Sequence, residues 1–278
     1  MSDKTGIEWT DATWNPVTGC AKVSAGCKHC SAERDWARLS ANQKTRYYGR
    51  AFADVQCHPD VLDLPMRWTK PRRIFVNSMS DLFHHDVPSD FIMAVFCTMA
   101  QATQHSFQIL TKRPERMRDL LSLWARTLIF PAEPPTAILP NVWMGVSVED
   151  QDTANERIPL LLQTPAAVRW ISAEPLLGPV LLDGSDFNVE ALAGWYSRVD
   201  WVVAGGESGP RARPMHTDWA RSLRDQCAEA GVPFLFKQWG EWAPDAANTG
   251  AGNGLMTRVG KKLAGRLLDG VEHNGYPV

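Results

Sequence analysis

Three cysteines stand close together near the start of the chain: Cys20, then Cys27 after six intervening residues, then Cys30 after two more. Gly19, Ser24, Ala25 and Gly26 lie among them, so the backbone can wrap a small inorganic core and turn three thiolates toward one point. A [4Fe–4S] cluster held by three cysteines leaves one iron open, and that iron is where S-adenosylmethionine (SAM) can chelate through its amino and carboxylate groups. A structural zinc site is the rival, with His29 or a more distant His84, His85, Asp86, Cys57 or His58 completing four-coordination. No second Cys-x2-Cys or His-x3-His pair accompanies the motif, which weighs toward the cluster, and a purely structural role for the thiols comes third.

The other three cysteines, Cys57, Cys97 and Cys227, are scattered. No stretch approaches the ~20 apolar residues that span a bilayer, and Ser2-Asp3-Lys4 does not begin like a secretory signal, so no membrane association and a cytoplasmic location are expected. A disulfide framework is disfavoured in that reducing compartment. The 278 residues, 44% hydrophobic and 22% charged, suit one large α/β domain or two small ones. A net charge of −2 excludes a chain that is basic all over, so nucleic-acid binding would need a local patch.

The elements that must position the cysteines follow from periodicity. Short β-branched and aromatic runs predict strands at 73–77, 106–110, 141–148, 168–172, 201–204 and 233–237, with one more near 13–18. Helical spacing covers 89–104, 114–128 and 217–230, the last stopping at Gly231, while Pro159 should break or kink a helix over 150–163. No fixed-period repeat is present, and the small-residue run 246–254 reads as a flexible loop before a C-terminal tail. Alternating strands and helices imply parallel β with right-handed crossovers, hence a (βα) barrel or a doubly wound sheet, and seven strands favour a partial barrel.

In such folds chemistry gathers at the carboxyl ends of strands. There the chain places Cys20, then Asn77, Ser78, Ser80 and Asp81, then Thr111, Lys112 and Arg113. Ser147, Glu149 and Asp150 follow, then Ser172 and Glu174, Gly205 to Ser208, and Lys237 with Gln238. Loops are polar in general, but repetition after nearly every strand suggests one polar cavity.

With these residues in view the chain resembles a family of phage and prophage proteins that look like radical SAM enzymes. The resemblance rests on Ile7-Glu8-Trp9-Thr10, Thr13-Trp14-Asn15-Pro16, Thr18-Gly19-Cys20 and Ser24-x-Gly26-Cys27-x2-Cys30, followed by Ala32-Glu33-Arg34. Downstream it rests on Ser78-Met79-Ser80-Asp81-Leu82-Phe83, Leu110-Thr111-Lys112-Arg113-Pro114, Gly145-Val146-Ser147-Val148-Glu149 and Ile171-Ser172-x-Glu174-Pro175. Gly205-Gly206-Glu207-Ser208-Gly209 and Lys237-Gln238-Trp239-Gly240 complete it.

The resemblance implies an α/β fold, a partial (βα)6-type barrel over 1–240 with the cluster after the first strand, and an extension over 241–278 packing on or closing it. It implies Cys20, Cys27 and Cys30 as cluster ligands. Most radical SAM enzymes separate the first two cysteines by three residues and place an aromatic before the third; here the gap is six and the residue is His29. The family's common Tyr after the third cysteine is Ser31 here. Many radical SAM enzymes hold the SAM amino group with a Gly-Gly-Glu turn after the second strand, but Gly205-Gly206-Glu207 follows a late one, so that role is not transferred. Ser78, Ser80 and Asp81 occupy the second-strand turn and, with Lys112 and Ser147, are the cofactor-binding candidates.

The activity implied is cleavage of SAM to a 5′-deoxyadenosyl radical that abstracts hydrogen, fed by a one-electron reductant such as flavodoxin. Glu149, Glu174 and Glu207 are candidates for binding a substrate ammonium or hydroxyl, ordinary salt bridges being the alternative. By analogy with similar phage enzymes the substrate is DNA or a nucleotide bearing an amino-acid-modified thymine, in the host cytoplasm, with isomerisation favoured. A lyase resembling DNA-photoproduct repair enzymes and a noncatalytic zinc or iron–sulfur nucleic-acid module are the alternatives. Lys70, Arg72, Arg73, Lys112, Arg113, Arg116, Arg118, Arg211 and Arg213 are candidate phosphate contacts or charge-paired surface. Trp239 and Trp242, two of twelve tryptophans, stack on a base or belong to the core.

Overall fold

The chain begins its regular structure at β1 (Ala12–Trp14), and Pro16, with no N–H to give a ladder, separates it from β2 (Val17–Thr18). The single strand expected near 13–18 is therefore two, on different partners. After α1 (Ser31–Ser40), β3 (Gln56–Cys57) pairs antiparallel with β2. The chain then alternates through β4 (Arg73–Val76), α2 (Ser89–Gln101), β5 (Ser106–Thr111), α3 (Pro114–Thr127), β6 (Val142–Ser147), α4 (Gln151–Leu162) and β7 (Val168–Ala173). A hairpin of β8 (Val189–Ala191) and β9 (Trp195–Ser197) precedes β10 (Trp201–Gly205), α5 (Thr217–Ala230) and β11 (Phe234–Gln238). The chain ends in a second hairpin, β12 (Trp242–Pro244) with β13 (Met256–Arg258), and the short α6 (Lys261–Ala264). The structure is a computed structural model describing residues 5–127, 138–182, 189–191, 195–245 and 255–277. The expected 246–254 loop and the last residue of the 114–128 helix lie outside them.

Seven strands form one sheet in the order β1-β4-β5-β6-β7-β10-β11. β1–β4, β4–β5, β7–β10 and β10–β11 all pair parallel. Each strand lies beside its predecessor and the order never reverses, which is the winding of a partial (βα) barrel and not of a doubly wound sheet. The fold is thus α/β, as the alternation implies.

Two compact units divide the chain: 1–24 with 30–145 and 164–168, and 25–29 with 146–163 and 169–278. In the first, Trp14, Ile74, Val76, Phe107 and Ile109 are fully buried, and the Trp14 and Phe107 rings lie 5.9 Å apart. In the second, Trp170, Trp201 and Phe236 do the same work, with Trp170 and Tyr276 at 5.2 and 5.3 Å from the Trp201 ring. Each such side chain contributes on the order of 1.5–3 kcal/mol by burial. Also in the second unit, the tail from His273 to Gly275 exchanges backbone bonds with Phe234 and Phe236, covering an edge of β11 that would otherwise be open to pairing.

Pro159 does not break α4. It and Asn155, whose carbonyl loses its helical donor, are both exposed, where solvent can compensate the lost bond. A capping box between Asp150 and Thr153 and a buried stripe of Ala154, Arg157, Ile158, Leu161 and Leu162 hold the helix across it. No helix among the described residues is long and apolar enough to cross a membrane.

Candidate functional site

In the first unit the turn after β4 is stitched to the segment that leads into Cys20. Asn15 Oδ1 accepts from Ser78 Oγ (3.1 Å) and the Met79 amide (3.2 Å), and Ser80 Oγ donates to the Val17 carbonyl at 2.8 Å. The Gly19 amide donates to the Met79 carbonyl and the Cys20 amide to that of Phe52, at 3.1 and 2.9 Å. The hydroxyls expected to meet a cofactor, Ser78 and Ser80, thus give their protons to the chain that presents the first cysteine.

Asp81 is the hub of this turn. Its carboxylate accepts from Thr111 Oγ1 (2.8 Å), the Phe83 amide (3.0 Å), the Lys112 amide (3.1 Å) and Arg113 Nη1 (3.1 Å). Four donors fill the roughly four lone-pair sites of an ionised carboxylate. Arg113 reaches on to Cys20: Nη1 lies 3.8 Å from Sγ, and Nη2 donates to the Ala21 carbonyl at 3.0 Å. Burial works against the Arg113 charge, but Asp81 and Cys20 outweigh it and raise its pKa.

Beside them, His84, His85 and Asp86 bring three potential ligand atoms within 4.8 Å of one another. The buried His84 already accepts the Asp86 amide at Nδ1 (3.2 Å), so this lone pair is not free for an ion. Its burial, with Arg113 next in effect, lowers its pKa and so disfavours the charged ring.

In the second unit the short turn Ala25–Cys27 meets the ends of β6 and β10. Gly26 sits so close to Glu149 that a Cβ on it would be 2.4 Å from Oε1. Glu149 is fully buried and pairs with Arg157 at 3.2 Å, and Arg157 also donates to the Ser147 carbonyl at 2.8 Å. Glu207 takes a bidentate grip from Arg213, at 2.6 Å to Oε1 and 2.9 Å to Oε2, and Arg213 Nη2 donates onward to the Ala25 carbonyl at 3.0 Å. Burial pushes the Glu207 pKa up, but hydrogen bonds from Arg213, its charge and His29 together hold it below the ordinary value.

At the ends of β7 and β11, the half-buried Glu174 accepts from Lys237 Nζ at 2.8 and 2.9 Å and from Gln238 Nε2 at 3.1 Å. All three glutamates singled out in the sequence are therefore engaged by cations. The Gly-Gly-Glu turn needs glycine for close approach: a Cβ on Gly206 would fall 2.0 Å from the Trp239 carbonyl oxygen, and one on Gly240 2.1 Å from that of Glu207.

Several basic candidates are internally committed. Arg73 pairs with Asp11, Arg118 with Asp119, and Arg116 donates to the carbonyls of His84 and Val87. Arg72 stacks over Trp68 at 4.9 Å. Trp239 is buried with Nε1 bonded to the Leu267 carbonyl, so it is a core residue; Trp242 Nε1 donates to Ala212 at 2.8 Å.

Cys20, Cys27 and Cys30 are in no disulfide and are partly exposed. Cys30 precedes the first turn of α1 with no side-chain cap bond, where the helix N-terminus favours negative charge. Soft sulfur donors on a loop bonded at Cys20, Ala21 and Ala25 are of the type that ligates an iron–sulfur cluster. Sequence reasoning missed Arg157, which has no motif around it, and read Arg213 as a phosphate contact or charge-paired surface and Arg113 as that or as part of the polar strand edge.

Residues 4–277 match the family described as "Protein of unknown function (DUF5131)", and the chain belongs to that family. No curated protein matches. Two solved structures are similar: a point mutant of spore photoproduct lyase (11% identity, TM-score 0.34) and spore photoproduct lyase complexed with dinucleoside spore photoproduct (10%, 0.34). The alignments cover 80% and 77% of this chain, and the chain spans only 55% and 59% of those proteins.

Proposed function

We propose that this member of the family is a radical SAM enzyme in which Cys20, Cys27 and Cys30 hold a [4Fe–4S] cluster. The observation that supports it is the anchoring of the three-cysteine loop by groups from the carboxyl ends of parallel strands. Arg113 bonds Cys20 and Ala21 and the Met79 carbonyl takes the Gly19 amide; Arg213, gripped by Glu207, bonds the Ala25 carbonyl, and Gly26 packs against Glu149. The cluster and SAM, when bound, supply one-electron chemistry able to remove hydrogen from an unactivated C–H bond.

The protein's part is to fix the thiolates, keep water out and orient the substrate hydrogen. Glu174 and Lys237, half-buried and opposite in charge, are suited to the ammonium and carboxylate of an amino-acid group. Ser78, Ser80, Lys112 and Ser147 stand as cofactor-side candidates, while Asp81 acts through Arg113. The substrate we favour is DNA carrying an amino-acid-modified thymine, and the reaction an isomerisation.

The test is to incubate reduced, reconstituted enzyme with SAM and such DNA and digest to nucleosides. A product of unchanged mass but altered retention and fragmentation supports isomerisation; a changed mass or separated bases contradicts it and leaves a lyase or another transformation.

A further inference from the structure

Arg113 is built into place before any ligand arrives. Its amide donates to Thr111 Oγ1 at 2.9 Å, Pro114 after it opens α3, and its guanidinium is held by Asp81 at 3.1 Å and the Ala21 carbonyl at 3.0 Å. The same Nη1 that bonds Asp81 lies 3.8 Å from Cys20 Sγ. Its side chain is only 14% exposed, so water competes weakly for that contact.

We infer that Arg113 is a positioning residue that sets the reduction potential of the cluster through an N–H···S bond to Cys20, an inference that rests on the cluster reading above. Reduction adds one negative charge to the cluster, shared in part by its thiolate sulfurs. A fixed donor at one sulfur stabilises the reduced form more than the oxidised one and raises the potential, since hydrogen bonds to sulfur are among the levers that set it. Asp81 holds the guanidinium in position and cancels much of its net charge, so the donor geometry is the dominant part of the effect.

The experiment is a redox titration of anaerobically reconstituted wild type, Arg113→Gln and Arg113→Lys, followed by the reduced-cluster EPR signal, with iron, sulfide and zinc measured on each sample. The inference predicts a midpoint shifted to more negative potential in Arg113→Gln. Arg113→Lys, keeping the charge and one donor, falls between that variant and wild type. Equal midpoints in wild type and the variants that load a cluster overturn the inference while leaving the cluster standing. Should Arg113→Gln fail to load, Arg113→Lys decides alone: a more negative midpoint supports the inference and an unchanged one overturns it. Zinc without iron and sulfide in the wild type is a different result, and overturns the cluster reading itself.

Discussion

Gly26 and Glu149 approach so closely that no side chain fits between them: a Cβ on residue 26 would sit 2.4 Å from Oε1 and 2.7 Å from Cγ of Glu149. Glu149 cannot simply swing aside, because it is fully buried and tied to Arg157. Gly26→Ala is therefore expected to displace the turn that carries Cys27, with a destabilisation of about 1–3 kcal/mol from overpacking. Urea unfolding reads the stability, and iron per chain after reconstitution reads the loop. Full iron loading at wild-type stability would contradict the close fit.

The Glu149–Arg157 pair is buried at both ends, with side chains 0% and 2% exposed. Removing one partner strands a charge without solvent, so Arg157→Met should cost on the order of 3–5 kcal/mol. The double change Glu149→Gln with Arg157→Met removes the stranded charge and should recover a substantial part of that loss. Denaturant melts of the three variants measure it, and a double variant no more stable than Arg157→Met would argue against the charge as the cause.

His58 gives the fold a defined acid sensitivity. Burial, with Arg46 and Arg50 nearby, brings its pKa from 6.5 down to about 4, and its ring meets Thr18 Oγ1 at 2.7 Å. The folded chain resists a proton that the unfolded chain accepts, so stability is whole above pH 6.5 and declines as pH falls from 6.5 toward about 4. His58→Gln should be less stable at pH 7 and show a shallower decline across that window. Urea midpoints measured from pH 7 to pH 4 test it; parallel slopes for the two proteins would rule His58 out as the source.

Much of the fold was legible because its strands are short β-branched runs with polar turns at fixed ends. Arg73–Val76 and Thr217–Ala230 stand within a residue of where their patterns put them. α1 was not, since of its ten residues only Ala32 and Trp36 are buried and six of the other eight are charged or polar. Pro159 leaves the helix over 151–162 unbroken, because its cost depends on whether the freed carbonyl meets water, which a linear sequence does not tell. Cysteine spacing picked out the proposed ligands, and the strand-end turns picked out the polar residues proposed to rim them. What could not be read was which rim residue grips which: Arg157 reaches Glu149 from eight residues along the chain, and Arg213 reaches Ala25 across 188.

The most direct test of the radical SAM assignment is quantification of 5′-deoxyadenosine after anaerobic, reconstituted protein is reduced in the presence of SAM, with Cys27→Ala beside it. The account predicts 5′-deoxyadenosine from the wild type and none above background from the variant. Wild-type protein that loads iron and sulfide yet yields no more 5′-deoxyadenosine than Cys27→Ala would contradict it.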